Sequence, residues 1–141
     1  MDTEIIERVR ALRFIASVGD GQETACIMSA RAILDGHVVL SRKQAEQGIF
    51  PAIDVNASIS RTMVDCVSQQ HMQRVRRFRR YLSLWEQNRD LMMLGGYQTG
   101  QDPELDMAFQ LQPQLVGYIQ QGMNERSTFV ESEARLQSLL P

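Results

Sequence analysis

Residues 32–63 read AILDGHVVLSRKQAEQGIFPAIDVNASISRTM. Asp35-Gly36 closes a preceding helix, because glycine takes the left-handed end conformation without strain. His37, Val38, Val39 and Leu40 form a β-branched apolar run of strand length. Ser41 and Gln44 stand at the spacing of a capping box, which starts a short helix that Gly48 ends. Gly48-Ile49-Phe50-Pro51 is an extended turn, since a residue before proline avoids the α region. Ala57-Ser58-Ile59-Ser60 reads as a small, polar turn that presents the guanidinium of Arg61.

Outward from this stretch the pattern becomes helical. Met1 to Arg13 has apolar Ile5, Ile6, Val9 and Leu12, and Gln22 to Leu34 repeats Ile27, Ala30, Ile33 and Leu34 near helical spacing. Between them lie a short apolar run, Phe14 to Val18, and the turn Gly19-Asp20-Gly21. Downstream, a long helix is predicted from about Ser68 to Leu94. Val75, Phe78, Leu82, Trp85 and Leu91 line one face. Leu94-Gly95-Gly96-Tyr97 breaks it. Asp102 caps the next helix and Pro103 fits its first turn. Pro113 is read as the start of a further helix that ends at Gly122. Ser127 caps the last helix, whose Phe129, Ala134, Leu136, Leu139 and Leu140 face a core.

With 141 residues the chain has the length of one domain or less. A formal charge of −2 gives no bulk argument for a nucleic-acid or membrane partner. Cys26 and Cys66 are far apart and outside metal or redox spacings, as are His37 and His71 for a metal, so no metal site is expected. Arg74, Arg76, Arg77, Arg79 and Arg80 form a basic cluster. A nucleic-acid or anionic-lipid patch is one reading; the preferred one is a solvated helix face pairing with Glu86, Asp90 and other acids. No Gly-rich loop ending in Gly-Lys-Ser/Thr occurs, so nothing cradles β- and γ-phosphates, and no magnesium-binding aspartate is identified. The isolated chain is expected not to turn over ATP.

ILDGHVVLSR, GIFPAIDV and ASISR, in this order and spacing, resemble the segment that joins the nucleotide domain to the helical domain in rotary ATPases. The resemblance is nearest to the flagellum-specific and type III secretion ATPases. RRFRRYLSLWEQNRDLMMLGGYQTGQDPELDMAFQLQPQLVGYIQQGMNER resembles the C-terminal part of that subgroup, so the likeness runs from about Ala30 to Pro141.

The fold this implies is mainly α: a C-terminal helical bundle with a remnant of the RecA-like α/β nucleotide domain on its N-terminal side. Residues 26–62 form that edge and linker, and residues 63–141 the helical domain. Residues 1–25 are set apart as a divergent segment. Gly19, Asp20 and Gly21 echo the family's acidic turn there, but Thr24, Ala25 and Cys26 do not echo its aspartate-proline pair, so a replaced or frame-shifted start is expected.

By the same resemblance Arg61 is the arginine finger, which contacts the γ-phosphate held by a neighbouring subunit. Its planar guanidinium neutralises charge spread over the phosphoryl oxygens. Without the motif, an arginine bridged within its own subunit would be the simpler reading. Phe50 matches the aromatic that stacks on adenine, against an equal reading as a core phenylalanine before a proline turn. Met123 falls near the opposing adenine contact, with core packing the favoured reading. Tyr97 to Asp106 lies where the family touches its central stalk.

ATP and Mg2+ are the cofactors of the intact enzyme, with tight binding to this chain alone not expected. Implied partners are a homo-oligomeric ring or full-length ATPase subunits, a coiled-coil stalk protein, a regulatory subunit and export chaperone–substrate complexes. The expected place is the cytoplasm, peripheral at the membrane. The alternatives are a catalytically inert interaction module and the equivalent piece of an injectisome ATPase.

Overall fold

The structure, a computed structural model, describes residues 35–140. The readings made for Met1–Arg13, Phe14–Val18, Gly19–Gly21, Gln22–Leu34 and Cys26 lie outside the described residues. The elements in order are β1 (Gly36–Leu40), α1 (Arg42–Glu46), β2 (Ile53–Ser60), α2 (Met63–Cys66), α3 (Gln69–Met93), α4 (Pro103–Ile119) and α5 (Phe129–Leu139). The fold is mainly helical, with one two-stranded sheet at its N-terminal side.

β1 forms as its β-branched run predicts, and it has a partner: β2 pairs with it antiparallel. This corrects the reading of Ala57–Ser60 as a turn. Those residues are strand, and Arg61 follows the strand end directly. Alternation failed as a signal here because the strand is interrupted. Val39 lies opposite Asp54 and His37 opposite Ile59, so Val55 to Ser58 face the single Val38. Gly36 is not a left-handed helix end either. Positive φ among the described glycines occurs at Gly48, Gly95 and Gly100. Gly36 pairs with Ser60 in the ladder, and a Cβ there would stand 2.8 Å from the carbonyl oxygen of Ile59. Close approach of the strands, not helix termination, requires glycine.

Ser41 caps α1 by accepting from the Gln44 N–H at 3.3 Å, and Gly48, at φ 73°, follows it. The box is half made. Gln44 is buried with its Oε1 unpaired and does not reach back to Ser41.

α3 spans 25 residues with Ser68 as N-cap and Leu94 as C-cap. Its stripe Val75, Phe78, Leu82 and Trp85 packs inward as predicted, while Leu91, 45% exposed, does not. α4 is capped by Asp102, whose carboxylate accepts from the Glu104 and Leu105 N–H groups, and Pro103 occupies its first turn. No new helix starts at Pro113. α4 runs through it to Ile119. Leu105 and Ala108 before the proline and Leu115 after it are buried on one side of the helix. Holding both halves of that stripe against the core outweighs one lost ladder bond at an exposed position.

Thr128, not Ser127, caps α5. Its hydroxyl accepts from the Glu131 N–H at 3.3 Å, and the Glu131 carboxylate accepts from the Thr128 N–H at 2.7 Å. The three long helices enclose Phe78, Leu82, Leu115, Leu136 and Leu140. Each such side chain contributes about 1.5–3 kcal/mol by leaving water. Phe129 and Ala134 face outward, against expectation. Phe129 lies instead against the buried His71 ring, centroids 5.7 Å apart.

Candidate functional site

Phe50 and Met123 come together on one surface. The Phe50–Pro51 peptide is cis. The backbone N–H of Gln121 donates to the Phe50 carbonyl at 2.8 Å, which fastens the segment after α4 to the turn before β2. Glu125 closes that segment on itself by accepting from the Gly122 N–H at 2.9 Å, while its own carbonyl takes the Gln121 side-chain amide at 2.9 Å. Between the two turns lies an open groove of about 730 Å³, lined by Gly48, Phe50, Pro51, Gln120, Gln121, Gly122, Met123 and Glu125.

Phe50 is 55% exposed and Met123 fully exposed. Neither side chain is packed into the core of this chain. A large, flexible thioether standing in solvent beside an exposed ring is an apolar pair suited to the two faces of a flat heterocycle. The groove has room and a ring for a nucleobase. Its single acid, Glu125, and its amides offer nothing for a triphosphate. Among the described residues no cluster of His, Cys, Asp or Glu is set to hold a metal ion. The residues fit the base end of ATP and do not fit its phosphates or Mg2+.

Arg61 lies elsewhere. Its backbone N–H donates to the Asp35 carbonyl at 2.7 Å. Its side chain is exposed, with no acid bridged to it among the described residues. It does not line the groove. Among the described residues this leaves a strand-end guanidinium open to solvent.

Within the basic cluster the expected pairing of an exposed arginine with an acid is met at Arg80, though with Glu104 rather than Glu86 or Asp90, while Arg79 turns to backbone instead. Arg80 pairs with Glu104 and ties α3 to α4; this carboxylate holds the guanidinium's pKa above its ordinary value and is itself held below its own. Arg79 donates to backbone carbonyls of β2. Glu86 takes the Asn56 side-chain amide at 3.1 Å and is raised from the ordinary carboxylate value, mainly by burial. Sequence reasoning missed Gln121 and Arg79, because each meets backbone groups distant in sequence, and it missed Glu125, which closes an irregular turn on Gln121 and Gly122 that follows no standard cap spacing. In the α3–α4 connection, Tyr97 donates its hydroxyl to Asp106 at 2.7 Å, and Asp106 also accepts from the Gly100 N–H at 2.8 Å.

Comparison with known proteins bears on the whole chain. Residues 67–138 match the T3SS EscN ATPase C-terminal domain, and residues 6–60 match the ATP synthase alpha/beta family nucleotide-binding domain. The second match starts well before Ala30, where the resemblance was first drawn. The flagellum-specific ATP synthase of Salmonella typhimurium is 47% identical over 133 residues, 94% of this chain and 29% of that protein. The type 3 secretion system ATPase of Pseudomonas syringae pv. syringae is 37% identical over 131 residues, 93% of this chain and 29% of that protein. This chain thus spans under a third of the length of these relatives. The assembled ATPase EscN of the enteropathogenic E. coli type III secretion system superposes with a TM-score of 0.82 at 31% identity, covering 88% of this chain and 30% of that one. EscN in complex with its central stalk EscO gives 0.76 at 32% identity, covering 81% and 28%. The EscN-type C-terminal domain alone accounts for just over half of the 141 residues, and the chain belongs to the flagellar and type III secretion ATPase family.

Proposed function

We propose that this chain supplies Arg61 as an arginine finger, together with a stalk- and chaperone-facing helical domain, to a hexameric ring that couples ATP hydrolysis to type III protein export. The observation that carries this reading is the separation within one chain. Arg61 is exposed at a strand end and lies outside the groove of Phe50 and Met123, and this supports its serving a nucleotide other than the one whose base that groove takes. Phe50 and Met123 take the adenine of the subunit's own nucleotide, and Arg61 faces the γ-phosphate held next door. The phosphates and Mg2+ belong to residues this chain does not contain. Residues 26–62 then serve as the edge of the nucleotide domain and 63–141 as the helical domain, with residues 1–25 a divergent stretch most of which falls within the 6–60 match to that nucleotide domain.

The ring partners are copies of this chain or full-length family subunits. The α3–α4 connection faces a coiled-coil stalk, and a regulatory subunit and chaperone–substrate complexes complete the set. The stalk role draws on the relative solved with its central stalk. The site of action is the cytoplasmic face of the membrane, to which the assembly is peripheral. No helix of the described residues is long and apolar enough to cross a bilayer.

A second reading is a catalytically inert module that joins a ring or stalk, flagellar or injectisome. It is favoured by the lack of any Gly-Lys-Ser/Thr phosphate loop in the sequence.

The test joins this chain, in the register of its match, to the nucleotide domain of the Salmonella typhimurium relative. In assembled rings Arg61→Ala and Arg61→Lys should each lower kcat by about three to five powers of ten, with nucleotide affinity and assembly kept, because lysine lacks the planar fork. Turnover unchanged by Arg61→Ala would remove the finger reading and leave the inert module.

A further inference from the structure

We propose that Arg79, on α3, is a positioning residue that sets the aim of Arg61 by filling a bulge in the strand that carries it; the proposal rests on Arg61 acting as the finger. The bulge is built into β2. Four residues, Val55 to Ser58, face Val38 alone. Its outer side is pinned locally: the Asp54 carboxylate accepts from the Ala57 N–H at 2.8 Å, and the Ser58 hydroxyl donates to the Asp54 carbonyl at 2.6 Å and accepts from the Val39 N–H at 3.0 Å.

Looping out turns backbone carbonyls away from the ladder, and each needs another donor. The Nη2 of Arg79 supplies it, standing 2.8 Å from the carbonyl oxygen of Val55, 2.9 Å from that of Asn56 and 2.7 Å from that of Ser58. One NH2 group has two hydrogens, so three oxygens share them, and the bulge converges on a single nitrogen. A second tie lies two helical turns along α3, where Glu86 accepts from the Asn56 side chain at 3.1 Å. One rigid helix thus grips the bulge at two points on the same face.

Past the bulge the strand has little of its own to fix it. Two ladder pairs remain, Ile59 with His37 and Ser60 with Gly36, and then, among the described residues, Arg61 is held by its backbone N–H. The direction in which the chain leaves the bulge is therefore the direction in which Arg61 points. Bulges re-aim a side chain in this way. A guanidinium suits the task, since it keeps its charge and offers a planar set of donors.

Two experiments test this. In the full chain, hydrogen exchange of the backbone amides in residues 53–61 should speed up in Arg79→Ala by about tenfold or more, with α4 and α5 unchanged as the internal control for folding. Arg79→Lys, whose ammonium carries three hydrogens, should recover part of the protection. Unchanged exchange in 53–61 overturns the proposal whatever Arg61 does. In the ring assembled with the relative's nucleotide domain, Arg79→Ala should lower kcat by about ten- to a hundredfold, the scale of a displaced catalytic group, with KM for ATP within about twofold. In an Arg61→Ala background the same substitution should cost nothing further. An equal loss in both backgrounds, or a loss confined to KM, shows that Arg79 does not act through Arg61. If Arg61→Ala alone leaves kcat intact, the finger reading falls and the aiming role with it, even where the exchange result stands.

Discussion

The backbone N–H of Gln121 meets the carbonyl of Phe50 at 2.8 Å, across 71 positions of sequence. This bond holds the two turns that carry Phe50 and Met123 at the mouth of one groove. The exposed ring and thioether are thereby presented by backbone contacts rather than by packing around the side chains.

Phe50→Ala should therefore weaken nucleotide binding while leaving the fold intact. Stacking of a base on an aromatic ring contributes about 1–3 kcal/mol on alanine substitution. The measurement is KM for ATP in rings assembled with the relative's nucleotide domain, with a rise of about tenfold expected and kcat little changed. Equal affinity in Phe50→Ala and the parent would remove Phe50 from the site.

Stability should be concentrated in the helical core. Leu82 and Leu115 are 2% and 0% exposed and meet Phe78, Leu136 and Leu140. Leu82→Ala or Leu115→Ala should cost about 2–5 kcal/mol by urea denaturation. Met123→Ala, at a fully exposed position, should stay within about 0.5 kcal/mol. A Met123 variant as damaging as Leu115→Ala would mean that the loop packs in solution.

The pH response should differ in sign between two carboxylates. Glu131 is held below its ordinary value of 4.5 by the backbone N–H and hydroxyl of Thr128. A lowered folded value means that its stabilisation is present above the unfolded value and is lost as pH falls through the folded one. Glu131→Gln should thus destabilise near neutrality, with the gap closing in acid. Glu86 is raised above 4.5, chiefly by burial and despite the Asn56 hydrogen bond. The folded state then favours its protonated form, so the charge disfavours folding as pH rises past the unfolded value. Glu86→Gln keeps an acceptor for Asn56 and removes the charge. It should raise Tm at neutral pH and lose that advantage in acid. Thermal melts across the acid limb decide both; parallel shifts of one sign would contradict the assignment.

Tyr97→Phe should loosen the α3–α4 connection without unfolding the bundle. The hydroxyl is the bridge between Tyr97 and Asp106, which also holds the Gly100 N–H. Limited proteolysis should cut residues 95–102 faster in the variant, while the midpoint of global unfolding barely moves. A large drop in the midpoint would place this loop inside the cooperative core.

The sequence alone determined what is encoded within a few residues: the ends of α3 at Ser68 and Leu94, the Asp102 cap, the strand at His37–Leu40, the family motifs around Arg61, and the lack of a phosphate loop. Caps and strand runs are legible because their partners lie within one turn or alternate along one segment. The cap of α5 falls one residue later than the sequence suggests, since Ser127 and Thr128 are both good caps and only Thr128 stands at the right offset from Glu131. Tertiary structure decided the rest. β2 is a strand because β1 lies beside it, although its bulge erases the alternation that would have announced it. α4 continues through Pro113 because Leu105 and Ala108 before it and Leu115 after it are buried on one side of the helix. Phe50 and Met123 are exposed, and Arg79 rather than a nearby arginine reaches β2, because burial and backbone pairing depend on groups that meet only when the chain has folded.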